Sequence, residues 1–309
     1  MEQRTSIGES AVNKLKIDLG CGSRKKEGTI GIDLQAQPGV DYVLNLQTEP
    51  LPFPDQSVDY VHSSHFLEHI ETAHYVVQIF KEISRVCVDG TKLEFWTPYA
   101  WSNSAFIFGH NIFYNEDHYL HLCVWNSNFW ESQLKARWIL KEITYIIDPE
   151  VLIELYRNKI TVDFALKYYK DIVREFGVFI EVNRGYQGEN LPIKRTFAVE
   201  RSTKRYPVEA TSSEIGWNQV ELEEAFDWFG SLEHKRSQSH LQQSYTEQNQ
   251  LQLQLQNTQE QLKLELQKTQ VELLQAQDMI KAMHTSKFWK LRTAWFNLKK
   301  SIGLASPNE

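Results

Sequence analysis

The sequence predicts an α/β fold, a mostly parallel sheet flanked by helices, followed by a helical C-terminal extension. Three observations predict it. Short β-like apolar runs alternate with helical or turn segments over roughly the first hundred residues, the pattern of crossover-connected parallel strands. A Gly-x-Gly pair closes the first of these runs, in "KIDLGCGSRKKEGTIGIDLQ". Beyond about residue 203 the composition changes, and 238–277 is dominated by Gln, Leu and Glu. With 309 residues, 41% of them hydrophobic, the chain can bury one full core plus an appendage.

The elements follow in order. The strands begin with 15–19, 29–34 after Gly28, 42–46, and 58–62 after the turn-rich LPFPDQS. Helical spacing governs 73–86, where Val76, Val77, Ile79, Phe80, Ile83 and Val86 share one broad face. Asp89-Gly90 is expected to end that helix, and 92–96 to form the next strand before Pro98. Further strands are expected at 136–147 and 195–201. Between them an inserted helical cap spans 149–176, with Leu152, Leu155, Tyr156, Ile160, Phe164 and Tyr168 at helical spacing.

Composition excludes several classes. A net charge of -7 provides no general basic field for nucleic acid, so none is expected as a partner. Cys21, Cys87 and Cys123 are too widely spaced for a disulfide framework or a zinc pattern, which points to a reducing cytoplasm. The opening MEQRTSIGESAVNKLK lacks the apolar stretch of a signal peptide, and no run of eighteen apolar residues occurs.

The glycine loop carries the chemistry. Gly20 and Gly22 let backbone approach a ligand where side chains would block it. A dinucleotide fingerprint would want a third glycine at position 25, where Lys25 stands, so a nicotinamide oxidoreductase is disfavoured. A triphosphate-binding loop would need Gly-Lys-Ser/Thr after a longer spacer, which is missing. Asp33, at the end of the next strand, is placed to accept hydrogen bonds from a ribose diol, and Asp18 could attract an ammonium group. An adenosine-like ligand with a cationic tail fits this pair.

With "LPFPDQSVDYVHSSHFLEHI" and "EISRVCVDGTKLEFWTPY" added, the sequence resembles the class I S-adenosylmethionine-dependent methyltransferases, in particular the type 11 branch. The resemblance covers about 12–203 and implies a Rossmann-like, seven-stranded, mostly parallel sheet with one antiparallel strand and helices on both faces. It implies S-adenosyl-L-methionine as cofactor. Gly20 and Gly22 would line its methionine part, Asp18 would hold the amino group directly or through water, and Asp33 would take the ribose hydroxyls. Asn45 would face the adenine where many relatives carry aspartate, and Ser63 would present backbone to the cofactor. The short span from Gly20 to Asp33 leaves little room for a full first helix, and Lys25 and Lys26 are expected to be solvated.

Methyl transfer from a sulfonium needs alignment above all, and a hydroxyl acceptor also benefits from a base. The candidate bases are His65, His69 and His118. His65-x-x-Glu68-His69 has the inverted-zincin spacing, but that pattern needs a further ligand, and no metal is expected. Tyr99, Trp101, Phe106, Phe108, Phe113 and Tyr114 could roof an acceptor pocket or pack in the core. "WTPYA" lacks the polar amide of the amino-methylating Asn/Asp-Pro-Pro-Tyr motif.

After a linker at 204–237, a coiled coil is expected over 238–283, with Leu262, Leu266, Thr269, Leu273, Ala276, Ile280 and Met283 stepping by four and three. A homo-oligomer follows from it. The tail, 284–309, is basic and amphipathic. Phe288, Leu291, Trp295, Leu298 and Ile302 share a face among lysines and Arg292, and an anionic membrane surface would suit 281–303. Domain, coiled coil and tail together resemble proteins of bacterial surface-polysaccharide assembly, which makes a sugar hydroxyl the favoured acceptor among small molecules and glycans. The other reading is a scaffold that has lost turnover and works through its coiled coil.

Overall fold

A computed structural model describes residues 14–186, 188, 192–201 and 218–302. The opening residues 1–13, most of the first half of the expected linker, and 303–309 of the tail lie outside the described residues.

One sheet organises the first compact unit, Met1–Ser239. Its strands are β1 (Leu15–Leu19), β2 (Ile30–Asp33), β3 (Tyr42–Val43), β4 (Val58–Ser64), β5 (Cys87–Pro98), β6 (Arg137–Ile146), β7 (Glu175–Asn183) and β8 (Lys194–Ala198), in the order β3-β2-β1-β4-β5-β7-β6-β8. β7 runs antiparallel to both of its neighbours, and every other pairing is parallel. The sheet therefore has eight strands rather than the implied seven, with β8 as an added edge.

Helix α1 (Ala73–Val86) falls where its spacing predicts and buries Val76, Ile79, Phe80, Ile83 and Val86. Phe80 packs on Phe95 and Trp138 at 5.9 and 4.9 Å between ring centres, and the Trp138 indole donates to Ser84 at 2.9 Å. The chain passes from Val86 straight into β5, so Asp89-Gly90 does not end the helix. It sits inside the strand, where the register slips between Val58 and Tyr60 and Gly90 takes φ +81°.

The expected helix over 149–176 divides. Short helices α2 (Glu116–Leu120) and α3 (Ser127–Leu134) lie between β5 and β6, joined by a π-turn at His121–Trp125; α4 (Pro149–Arg157) and α5 (Val162–Tyr168) follow β6. Lys159 turns left-handed at φ +54°, and Thr161 then caps α5 by accepting from the Phe164 N–H. Residues 175 and 176 belong to β7, whose Phe176, Val178, Ile180 and Val182 alternate into the core. Gly177 leaves room for Trp96, which a Cβ there would meet at 2.6 Å.

The segment 204–237, expected as a linker, is helical from Gln219 onward in α6 (Gln219–Thr285). Within the first unit this helix buries Leu222, Ala225 and Phe229, so it contributes to the core. The second unit, His240–Glu309, holds the rest of α6 and α7 (Lys287–Ser301). Ser286 separates them, its hydroxyl accepting from the Trp289 N–H at 3.2 Å.

Candidate cofactor site and the acceptor side

The loop from β1 to β2 contains no helix. Gly20 and Gly22 both take left-handed φ, +64° and +51°, which favours glycine. Their surroundings differ. A Cβ on Gly20 would sit 2.4 Å from the Cβ of Phe66, whereas one on Gly22 would enter open space. The Gly22 N–H donates to Asp33 Oδ2 at 2.8 Å, and Gln35 N–H donates to Oδ1 at 3.0 Å. Asp33 is half-buried at the end of β2, with lone pairs left on both oxygens, and its neighbour Leu34 is 61% exposed.

Side chains below the loop do the work a helix would otherwise do. Asp18 is fully buried, accepting from His62 Nδ1 and the Lys26 N–H at 2.8 Å each. Its carboxylate thus pins the loop from below through these two bonds. Lys26 is not solvated either: Nζ lies 2.6 Å from Glu94 Oε2 and 2.5 Å from the Tyr60 hydroxyl. Lys25 pairs with Asp41 at 2.7 Å, and this bond, with the Gly31 N–H, holds the Asp41 carboxyl below its ordinary range. Asp18, His62 and Glu94 occupy adjacent register positions on β1, β4 and β5. Burial raises the Glu94 carboxyl, but Lys26 and Tyr60 outweigh it and the net shift is downward; burial lowers His62 and keeps it neutral.

Ser63 is buried in β4 between Leu19 and Phe95. Asn45 shapes the turn after β3: its Oδ1 accepts from Gln47 N–H at 3.1 Å and its own N–H donates to Glu49 at 2.8 Å.

The three candidate bases do not converge. His65 follows β4 with φ +52°. Its Nε2 lies 2.9 Å from Glu175 and its Nδ1 3.1 Å from Glu68, and Arg201 completes the group by pairing with Glu175. Burial would lower its pKa, but the two carboxylates overcome that and push it up to about 9. A pKa raised this far disfavours His65 as a base at neutral pH, and Arg201 Nη2 also approaches its Nε2 at 2.8 Å. His69 is exposed, with Nδ1 3.0 Å from the Gly109 carbonyl. His118, on α2, bonds the Asn115 side chain at 2.7 Å, and burial lowers its pKa, leaving it neutral.

His118 stands at the rim of an apolar cleft of about 500 Å³ between α1 and the α2–α3 segment, whose walls include Val77, Phe80, Ile112, Trp125 and Trp130. The expected aromatic roof splits. Tyr99 and Tyr114 are core residues, while Trp101, Phe106, Phe108 and Phe113 are exposed, Phe106 stacking on Phe113 at 5.0 Å. Glu175, Arg201 and His110 escaped sequence reading because each reaches this region from a distant segment with no local pattern.

Residues 17–95 match the family described as "Methyltransferase domain". No curated protein matches the sequence. Among solved structures, the chain is similar to an S-adenosylmethionine-dependent methyltransferase from Archaeoglobus fulgidus, at 14% identity over 55% of this chain and 87% of that one, with a TM-score of 0.41. It is also similar to geranyl diphosphate C-methyltransferase from Streptomyces coelicolor A3(2), at 14% identity over 57% and 74%, TM-score 0.34. A third is phosphoethanolamine N-methyltransferase 2 from Haemonchus contortus, at 15% identity over 57% and 50%, TM-score 0.35. Over residues 17–95 the chain carries a methyltransferase domain.

Proposed function

We propose that the chain transfers a methyl group from S-adenosylmethionine to an oxygen of a small-molecule or glycan acceptor, with a sugar hydroxyl favoured. One observation carries the cofactor half of this reading: Gly22, with open space in front of it, is tied by its N–H to Asp33, which keeps lone pairs for a diol. In this reading Gly20 and Gly22 shape the methionine side, Asp33 holds the ribose and Leu34 packs on the adenine. Asn45 and the Ser63 backbone border the same site, and Asp18 sets the loop from below. The cofactor supplies an already activated methyl group, so the protein's task is alignment and exclusion of water.

The sugar reading is supported by the exposed faces of Trp101, Phe106 and Phe113, a surface on which the C–H face of a pyranose packs. Of the three histidines, His118 borders a cleft and is the base in this reading. Asp33→Ala tests the site, because it removes two acceptors of charge-assisted bonds, each worth about 1.5 to 3 kcal/mol. Calorimetry should show S-adenosylmethionine affinity reduced at least about tenfold, with the fold intact. Undiminished affinity would remove Asp33 from the site, and a screen of hydroxylated glycan intermediates with the wild-type protein tests the acceptor.

A further inference from the structure

We propose that Glu68, His69 and His110 form a binding site for one divalent first-row transition-metal ion. Their ligand atoms lie within 4.8 Å of one another. Glu68 and His69 sit in the single 3-10 turn after β4, and His110 in the loop after β5. Hydrogen bonds tie the two segments together. The Asn111 N–H donates to the Glu68 carbonyl at 2.7 Å, the Asn111 side chain to the His69 carbonyl at 3.2 Å, and His69 Nδ1–H to the Gly109 carbonyl at 3.0 Å. The pair His69 and His110 is edge-to-face at 4.7 Å between ring centres.

Unmet hydrogen bonding points to a ligand. Four of the buried side-chain polar atoms without a partner among the described residues are Glu68 Oε2, His110 Nδ1 and the hydroxyls of Tyr114 and Tyr119, and the Glu68 charge acts on all three of the other residues. The Glu68 side chain is 1% exposed, and a buried carboxylate oxygen with no donor is rare. Its other oxygen meets His65 Nδ1 at 3.1 Å, so a fixed donor orients the carboxylate. A carbonyl can only accept, so Nδ1 of His69 carries the proton and Nε2 presents a lone pair. That arrangement is common for metal-bound imidazole.

The donor set selects the ion. Two imidazoles and one carboxylate suit Zn²⁺ or Mn²⁺ better than Mg²⁺ or Ca²⁺, and three protein ligands leave at least one position open. Ligand atoms about 2.1 Å from a tetrahedral ion lie roughly 3.4 Å apart. Turning the exposed His69 ring closes the remaining distance. The site thus takes Glu68 and His69 from the His65-x-x-Glu68-His69 string and adds His110, while His65 orients the carboxylate rather than ligating. On the methyl-transfer reading, and only on it, the open position would orient and acidify an acceptor hydroxyl, and His69 would then be a ligand rather than a base.

The test uses untagged full-length protein stripped with chelator. Calorimetric titration should give one equivalent of Zn²⁺ at micromolar affinity or tighter, with Mg²⁺ at least a hundredfold weaker. Added Co²⁺ should produce visible d–d absorption. His69→Ala and His110→Ala should each weaken Zn²⁺ binding about a hundredfold and abolish the Co²⁺ band, while His74→Ala on α1 changes neither. His69 is exposed and gives up one hydrogen bond on truncation, so its variant should unfold within a few degrees of wild type and separates ligation from folding. Binding no tighter than millimolar, or wild-type Zn²⁺ affinity retained in both histidine variants, would overturn the site. S-adenosylmethionine affinity measured on the same samples reports separately on methyl transfer, since that reading can fail with the metal site intact.

Discussion

Gly20 and Gly22 share a backbone conformation but not a job, and their substitutions should separate. Alanine at either position pays the left-handed penalty of about 1 to 2 kcal/mol. At Gly20 the new Cβ also meets the Phe66 backbone-proximal Cβ at 2.4 Å, so the turn after β4 must move. Gly20→Ala should therefore lower the unfolding temperature by several degrees more than Gly22→Ala, and truncating Phe66 to glycine should not recover the left-handed cost. Gly22→Ala, whose Cβ points into open space, should instead lose S-adenosylmethionine affinity out of proportion to stability. Equal losses of both properties in the two variants would mean the loop acts only as a turn. The two glycines and Asp33 were legible in the sequence because they lie within one loop. Which glycine faces a ligand was not, since Phe66 comes from a different strand end.

At the scale of elements, a charge cluster joins the residue after β4, the start of β7 and the residues after β8. Glu175 sits between His65 and Arg201; burial would raise its pKa, but these two cations depress it to about 2. Its ionised form therefore stabilises the fold above the ordinary carboxylate value of about 4.5, and that contribution fades as pH falls toward 2. His65, raised to about 9, contributes fully below about 6.5 and loses its contribution as pH rises through 9. The unfolding temperature of the first unit should accordingly be highest near pH 5 to 6.5. Glu175→Gln should cost most there, and the gap to wild type should narrow toward pH 9; a gap independent of pH would make the contact one of shape. The sequence concealed this junction because helical spacing at 149–168 ran on toward the β7 run EFGVFIEVN, whose alternation only declares itself beside β5 and β6. α1 was legible throughout, having a single partner face and apolar positions that recur at helical spacing.

At the scale of the whole molecule, the helix α6 belongs to two units, and each part has its own test. The core includes Leu222, Ala225 and Phe229, so a chain ending at 203 lacks part of what it folds around. Burying the leucine and phenylalanine contributes about 3 to 6 kcal/mol at most, and a chain ending at 239 should unfold on the order of 10 °C above one ending at 203. In the second unit, Leu262, Leu266, Leu273, Ile280 and Met283 are each more than half exposed along one seam. Sedimentation of the full chain should show a dimer or larger species that Leu266→Asn with Leu273→Asn reduces to monomer. Helix α7 leaves Phe288, Leu291, Trp295, Leu298 and Ile302 exposed, with Arg292 5.3 Å from the Trp289 ring, and no helix among the described residues is long and apolar enough to cross a membrane. If this face lies in an anionic interface, each nearby lysine or arginine adds about 1 kcal/mol, and joining several tails in one oligomer raises the apparent affinity further. Liposome flotation should then require anionic lipid, weaken with salt, and fail for a chain ending at Gln277, while the seam variant floats less than wild type. Equal flotation with and without the tail would assign α7 to a protein partner instead.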